Sequence, residues 1–225
     1  MIIAIDGPSG AGKSTLGKLL AKKLGLLYLD TGAMYRAAAI AAMRSGVSLG
    51  DQPAVAKIVE GSRIELAGEP DDLKVLLNGE NVSGLIRTLD VAQAASIVST
   101  NSAVRRRMVE LQRELGENSP KGCVLEGRDI GSVVFPNADI KFFLTAKPEA
   151  RARRRFEEDE AKGRISTYEQ TLAEINERDE RDVSRDDSPL TISADAVVID
   201  TSDLDLTEVF DQMIGRIDEV KSAAA

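Results

Sequence analysis

The stretch "IIAIDGPSGAGKST" (residues 2–15) decides the fold. Its β-branched apolar opening reads as a buried strand that Gly7-Pro8 ends. Leu16, Leu19, Leu20 and Leu24 then recur at helical spacing until Gly25 closes the segment. Between strand and helix, Gly7-Pro8-Ser9-Gly10-Ala11-Gly12-Lys13-Ser14 matches G-x-x-x-x-G-K-[ST], with Thr15 next. Such a loop turns successive backbone N–H groups inward, and the helix start adds a partial positive charge. Lys13 can reach β- and γ-phosphates, and the Ser14 hydroxyl can ligate Mg²⁺. A flexible Gly-Ser turn with an incidental lysine is the alternative; the strand-to-helix frame favours a bound nucleoside triphosphate.

Composition narrows the partners. The 225 residues suffice for one substantial core with a smaller attached lobe. The net charge of −8 argues against nonspecific nucleic-acid binding. No apolar run is long enough to span a bilayer and no secretory signal is apparent, so no membrane partner and a cytoplasmic location are expected. The single cysteine, Cys123, excludes an internal disulfide and fits a reducing compartment. Absence of histidine excludes histidine bases, histidine metal ligands and a Ser-His-Asp triad. Arginine is nevertheless dense at residues 105–107, 151–155 and 178–185. For an arbitrary cluster, ion pairing on a helix surface is commoner than an anion site.

Along the chain, residues 26–29 read as a second strand, and Thr31 as the cap of a helix to Arg44. Residues 63–67 and 73–77 look like strands, and Asn78-Gly79 is a strong hairpin signal, so 63–86 reads as a small antiparallel insertion. A helical stretch starts at 88–90, breaks around 99–102 and resumes to 115–116. Further strands are expected at 123–125, 140–144 and 196–199, and helices at 148–162, 168–181 and 204–220, with a frayed end at 222–225. The pattern is that of an α/β domain on a parallel sheet.

Holding a second anion beside a γ-phosphate requires arginines from outside the loop, because phosphoryl transfer is mostly positioning and charge neutralisation. Arg36 lies one turn into the helix after the second strand. Arg128 and Asp129 follow a strand at the carboxyl edge, where open α/β sheets bind ligands. Arg178, Asp182 and Arg185 lie late in a helix that could fold over the site.

With "DGPSGAGKST" (6–15), "LDTGAMYR" (29–36), "LLNGENVSGLIRT" (76–88), "AASIVS" (94–99), "VRRRMVELQR" (104–113), "EGRDIGSVVFPNA" (126–138) and "LAEINERDERDVSR" (172–185), the chain resembles the bacterial cytidylate kinases essentially end to end. The resemblance implies an α/β, three-layer P-loop kinase fold. It has a parallel five-stranded sheet, an enlarged monophosphate-binding lobe with the antiparallel insertion, and a short lid. The division it implies is a core at 1–30, 106–150 and 186–225, the lobe at 31–105 and the lid at 151–185. It implies ATP as donor, CMP or dCMP as acceptor, Mg²⁺ as cofactor, and a monomer.

By the same resemblance, residues 7–15 hold ATP. Lys13, Arg128, Arg178 and Arg185 are catalytic, and Arg36 joins the last three around the acceptor phosphate. Guanidinium forks suit that task because they donate paired hydrogen bonds and never deprotonate. Asp129 corresponds to the acceptor for the cytosine amine, with Ser96 and Arg105 as the other base-reading positions; uracil would set a carbonyl against Asp129. Asp182 matches the ribose contact, Thr31 belongs to the acceptor site, and Tyr35 packs under base or ribose, although an arbitrary tyrosine is more often core. Arg154 reaches the ATP phosphates on lid closure, with pairing to residues 157–160 as the competing reading. Asn81 and Thr31 depart from the Asp and Ser common in the family. Another small-molecule kinase of this fold is the sibling reading, and a nonenzymatic nucleotide switch the reading from a different class.

Overall fold

The first strand is also the central one. The computed structural model describes residues 1–161 and 163–223. In it β1 (Ile2–Asp6) pairs in parallel with β6 (Cys123–Gly127) on one side and β7 (Ile140–Thr145) on the other. β2 (Leu27–Asp30) lies outside β6, and β8 (Val197–Asp200) outside β7. The five-stranded sheet is parallel throughout, in the order β2-β6-β1-β7-β8.

Strand alternation divides the core between two faces. Ile3, Ile5, Val124 and Leu144 pack against Leu16 and Leu20 of α1 (Lys13–Leu24) and Met213 and Ile217 of α8 (Leu206–Ala223). Ala4, Leu29 and Leu125 pack against Ile130, Val134 and Phe135, with Val109 and Leu115 of α5 (Ser102–Glu117) behind them. Covering both faces is what lets these strands be apolar at nearly every position. The result is the expected three-layer α/β architecture.

A separate apolar core lies beyond the sheet. It is built around α2 (Thr31–Arg44), whose Ala37, Ala38, Ala39 and Ala42 are buried. Side chains that small let α4 (Leu89–Val98) and a three-stranded antiparallel sheet approach closely: β3 (Ile64–Ala67), β4 (Lys74–Leu77) and β5 (Glu80–Asn81). The β4–β5 connection is the anticipated Asn78-Gly79 turn. Both residues have positive φ, 52° and 85°, as a tight hairpin turn requires. α6 (Pro148–Ala161) and α7 (Tyr168–Ser184) pack on each other, and Thr167 with Gln170 forms a reciprocal cap at the start of α7. Lys162, expected to end α6, lies outside the described residues, as do residues 224–225 of the expected frayed end.

Two local readings are corrected. The cap of α2 is Asp30, whose carboxylate accepts from the Ala33 N–H at 2.7 Å. Thr31 is already helical, and its hydroxyl donates to the Glu126 carbonyl at 2.6 Å. The sequence reading also omitted α3 (Gln52–Glu60), a helix of nine residues that Asp51 caps and that buries only Val55 and Val59. Among the described residues no helix is long and apolar enough to cross a membrane.

Candidate active site

The carboxyl ends of β1, β2 and β6 open into a cavity of about 700 Å³. Residues 9–15 line part of it. Gly7 and Pro8 do not, and they act instead on the loop's shape. Gly7 has φ 141°, and a Cβ there would stand 1.9 Å from the Leu144 carbonyl oxygen, so no other residue fits. The Pro8 carbonyl accepts from Lys13 Nζ at 2.6 Å, folding the lysine back across the turn. Burial, and next the nearby Arg128, hold the Lys13 ammonium down to about 7, against the pull of Glu126. A bound polyphosphate would replace the single carbonyl with the negative charge this lysine lacks.

Glu126, at the end of β6, is buried beneath the loop, and burial pushes its carboxyl up. It accepts from the Tyr28 hydroxyl at 2.5 Å and from the Ser14 side chain. The sequence reading gave Glu126 and Tyr28 no role. A charged residue closing an apolar strand was the available signal.

Four further segments bring charged groups into the same cavity. From α2, Arg36 reaches back 3.0 Å to Asp30, and Tyr35 stands beneath the Arg105 guanidinium, 5.6 Å from ring centre to carbon. Tyr35 also packs on the α2 core, so its core and cavity readings coexist. From α5, Arg105 is almost fully buried and donates to Asp129 at 2.5 Å and to the Ser99 carbonyl at 3.1 Å. After β6, Arg128 Nε donates to Asp182 at 2.6 Å. At the end of α7, Arg185 Nε donates to the Ser188 carbonyl at 2.7 Å, while its Nη2 lies 4.0 Å from Asp129. Although burial opposes it, Arg128 and Arg178 hold the Asp182 carboxyl below its ordinary range.

Asp129 is held in place from behind. The carboxylate of Asp6 accepts from the backbone N–H groups of Ile130 at 2.8 Å and Gly131 at 2.7 Å, fixing a wide helical turn over Ile130–Val134. Burial raises the Asp6 carboxyl to about 6, with the two N–H groups opposing.

Thr31, Ser96, Arg154 and Arg178 line the same cavity, so the structure brings every sequence-derived candidate except Gly7 and Pro8 onto one surface. Ser96 Oγ accepts from Arg181 Nη1 at 2.9 Å, a partner the sequence reading passed over. Arg154 is tied to the Thr201 and Ser202 carbonyls after β8, and to the Thr201 hydroxyl at 3.1 Å. Arg151, in the same arginine-dense run, does not line the cavity and is buried.

Lys13 and eight arginines line the cavity against seven carboxylates, in a chain whose net charge is −8. Buried nitrogens of Arg105 (Nε), Arg178 (Nε) and Arg185 (Nη2) have no hydrogen-bond partner among the described residues. Leaving buried charged donors unmet is costly, and an anionic ligand is what meets them. Burial, and then Arg128, even lowers the Arg178 guanidinium to about 10.

A phosphate-cradling loop and unmet guanidinium donors lining one cavity define a phosphotransferase of the P-loop class. The profile described as cytidylate kinase matches residues 3–219. The cytidylate kinase of Pelotomaculum thermopropionicum is 49% identical over 216 residues, covering 96% of this chain and 95% of that one. That of Citrifermentans bemidjiense is 45% identical over 219 residues, covering 97% and 93%. A crystal structure of an uncharacterized protein from Eubacterium ventriosum shares the fold, with a TM-score of 0.50 at 17% identity over 97% of this chain and 98% of its own. The chain belongs to the cytidylate kinase family, and it is an enzyme.

Proposed function

We propose that this enzyme transfers the γ-phosphoryl group of ATP to CMP and dCMP. The observation that carries the reading is Asp129, buried between Arg105 and Arg185 in the cavity that the phosphate loop also lines. Its carboxylate offers an acceptor to the cytosine N4 amine, and Arg105 with Ser96 supplies donors for N3 and O2. Arg36, Arg128, Arg178 and Arg185 receive the acceptor phosphate and neutralise the group in flight, and Asp182 receives the ribose. Residues 9–15 and Lys13 hold the donor chain, with Gly7 and Pro8 shaping the turn. Arg154 closes on the donor phosphates.

The residues present fit Mg²⁺. Ser14 is exposed at the start of α1, and its hydroxyl contacts the Glu126 carboxylate. A cation that keeps most of its water and binds substrate phosphates needs little more from the protein. Bound at Ser14, it would neutralise charge between the phosphates. In this reading, residues 31–105 form the monophosphate-binding lobe, 151–185 the lid and the remainder the core of a cytoplasmic monomer. Closure of the lid excludes water, without which a kinase hydrolyses its donor.

The test is ADP release measured with CMP, dCMP, UMP, AMP and shikimate as acceptors. Turnover is expected with CMP and dCMP far above the others, and Lys13→Ala should abolish it with every acceptor. ADP release that ignores the acceptor overturns the transferase reading, and equal use of UMP and CMP overturns the role of Asp129.

A further inference from the structure

Arg151 has no place in either substrate site, yet it is among the most buried charged side chains of the molecule, 2% exposed. Its guanidinium has four contacts on three segments. Nε donates to the Ala146 carbonyl at 2.9 Å, within the turn that leads into its own helix, α6. Nη1 donates to the Ser9 carbonyl of the phosphate loop at 3.0 Å. Nη1 and Nη2 also grip the Asp179 carboxylate of α7 as a fork, at 3.1 and 2.6 Å. The stem is in register as well: a Cβ on Gly10 would meet Arg151 Cβ at 3.1 Å, so the loop lies directly on this side chain.

The partners explain what the contact does. Ser9 belongs to the loop that presents backbone amides to the donor. Asp179 follows Arg178 directly and lies one turn before Asp182. Arg178 Nε has no hydrogen bond of its own, so its position depends on where α7 sits. One planar cation therefore fixes the distance between the donor cradle and the helix carrying the transfer arginine. Lysine cannot do this, because it lacks a bidentate fork.

We propose that Arg151 and Asp179 are positioning residues for phosphoryl transfer, acting through Arg178; this rests on the kinase reading above. Neither lines the cavity. A misplacement of about 1 Å in a transfer group costs on the order of a hundredfold in rate, so loss of the fork should appear in kcat and not in ground-state binding.

The experiment is a double-mutant cycle of Asp179→Asn with Arg178→Lys. It reads kcat and KM for CMP, and the affinity for a nonhydrolysable ATP analogue. Rates are expressed per folded molecule, with the folded fraction taken from a thermal melt. Asp179→Asn should lower kcat ten- to a hundredfold and leave KM and analogue affinity within threefold. In the double variant Asp179→Asn should cost almost nothing beyond Arg178→Lys, because its effect passes through that arginine. Multiplicative losses, or wild-type kcat per folded molecule in Asp179→Asn, overturn the proposal. If Asp179→Asn does not fold, Arg151→Lys takes its place in the same cycle under the same criteria. Failure of the kinase reading itself shows separately, as wild-type enzyme without CMP-dependent turnover.

Discussion

Replacing Asp129 by asparagine changes charge and hydrogen-bonding sense at almost constant shape. In the native site the carboxylate accepts from Arg105 at 2.5 Å and faces Arg185 at 4.0 Å, with the three side chains 7%, 2% and 4% exposed. The asparagine carbonyl remains with Arg105, so the amide NH₂ turns to the base. The cytosine amine then loses a charged acceptor and meets a donor, at a cost of about 2–4 kcal/mol. At about 1.4 kcal/mol per decade, kcat/KM for CMP should fall thirty- to several-hundredfold. UMP presents a carbonyl at the same place and should hold its rate or gain. The ratio of CMP to UMP use therefore collapses, while affinity for an ATP analogue stays within threefold, because the partners of Asp129 are Arg105 and Arg185 and not residues of the loop. Arg105 also loses a charged partner, so a thermal melt supplies the folded fraction by which rates are scaled. The assay is ADP release with each acceptor. A CMP-to-UMP ratio equal to that of the native enzyme refutes the base-reading role.

Two further outcomes follow from buried or constrained positions. Asp6 holds its proton to about pH 6 in the folded protein, against 3.8 unfolded. Its contribution to stability is therefore full below pH 3.8, is lost as pH rises through 6, and amounts to about 3 kcal/mol. Asp6→Asn removes that slope, so the stability difference between native and variant proteins should change by this amount between pH 4 and 7 in urea melts. A difference independent of pH refutes it. Gly79→Ala keeps φ at 85° with no steric neighbour, so only backbone strain of about 1–2 kcal/mol is added. The melting temperature should fall by a few degrees with kcat per folded molecule unchanged, and a change in kcat beyond threefold speaks against a purely structural hairpin.

Legibility in the sequence follows the range of the forces involved. β1, the loop and α1 were readable because strand, glycines and helix periodicity are contiguous. The hairpin at Asn78-Gly79 was readable because its geometry demands particular residues. α3 escaped because a nine-residue helix burying Val55 and Val59 carries almost no periodic signal. Asp30 and Thr31 are both good caps for α2, and only the fold shows that the Thr31 hydroxyl is engaged by the Glu126 carbonyl while Asp30 takes the Ala33 N–H. In the site, the candidates adjacent to strand ends or carried by the family motifs converge on one cavity. What stayed hidden is long-range: Arg151 meets Ser9 across 142 positions, Arg181 meets Ser96 across 85, and Asp6 anchors Gly131 across 125. No local pattern encodes such pairings.

The central place of β1 has a consequence for how the chain is made. Ile3, Ala4 and Ile5 are wholly shielded in the finished fold. Yet the strands that shield their edges are Cys123–Gly127 and Ile140–Thr145. During synthesis the first strand therefore waits for most of the chain, exposing an apolar, β-branched edge of the kind that pairs with other chains. Closing loops of that length before any sheet contact forms also slows folding. The separate apolar core around α2, drawn from residues 33–108, closes within a much shorter span and can form first. Of the five strands of the parallel sheet, β1 thus waits longest for its edge partners, and recruitment of a chaperone should concentrate on residues 2–6.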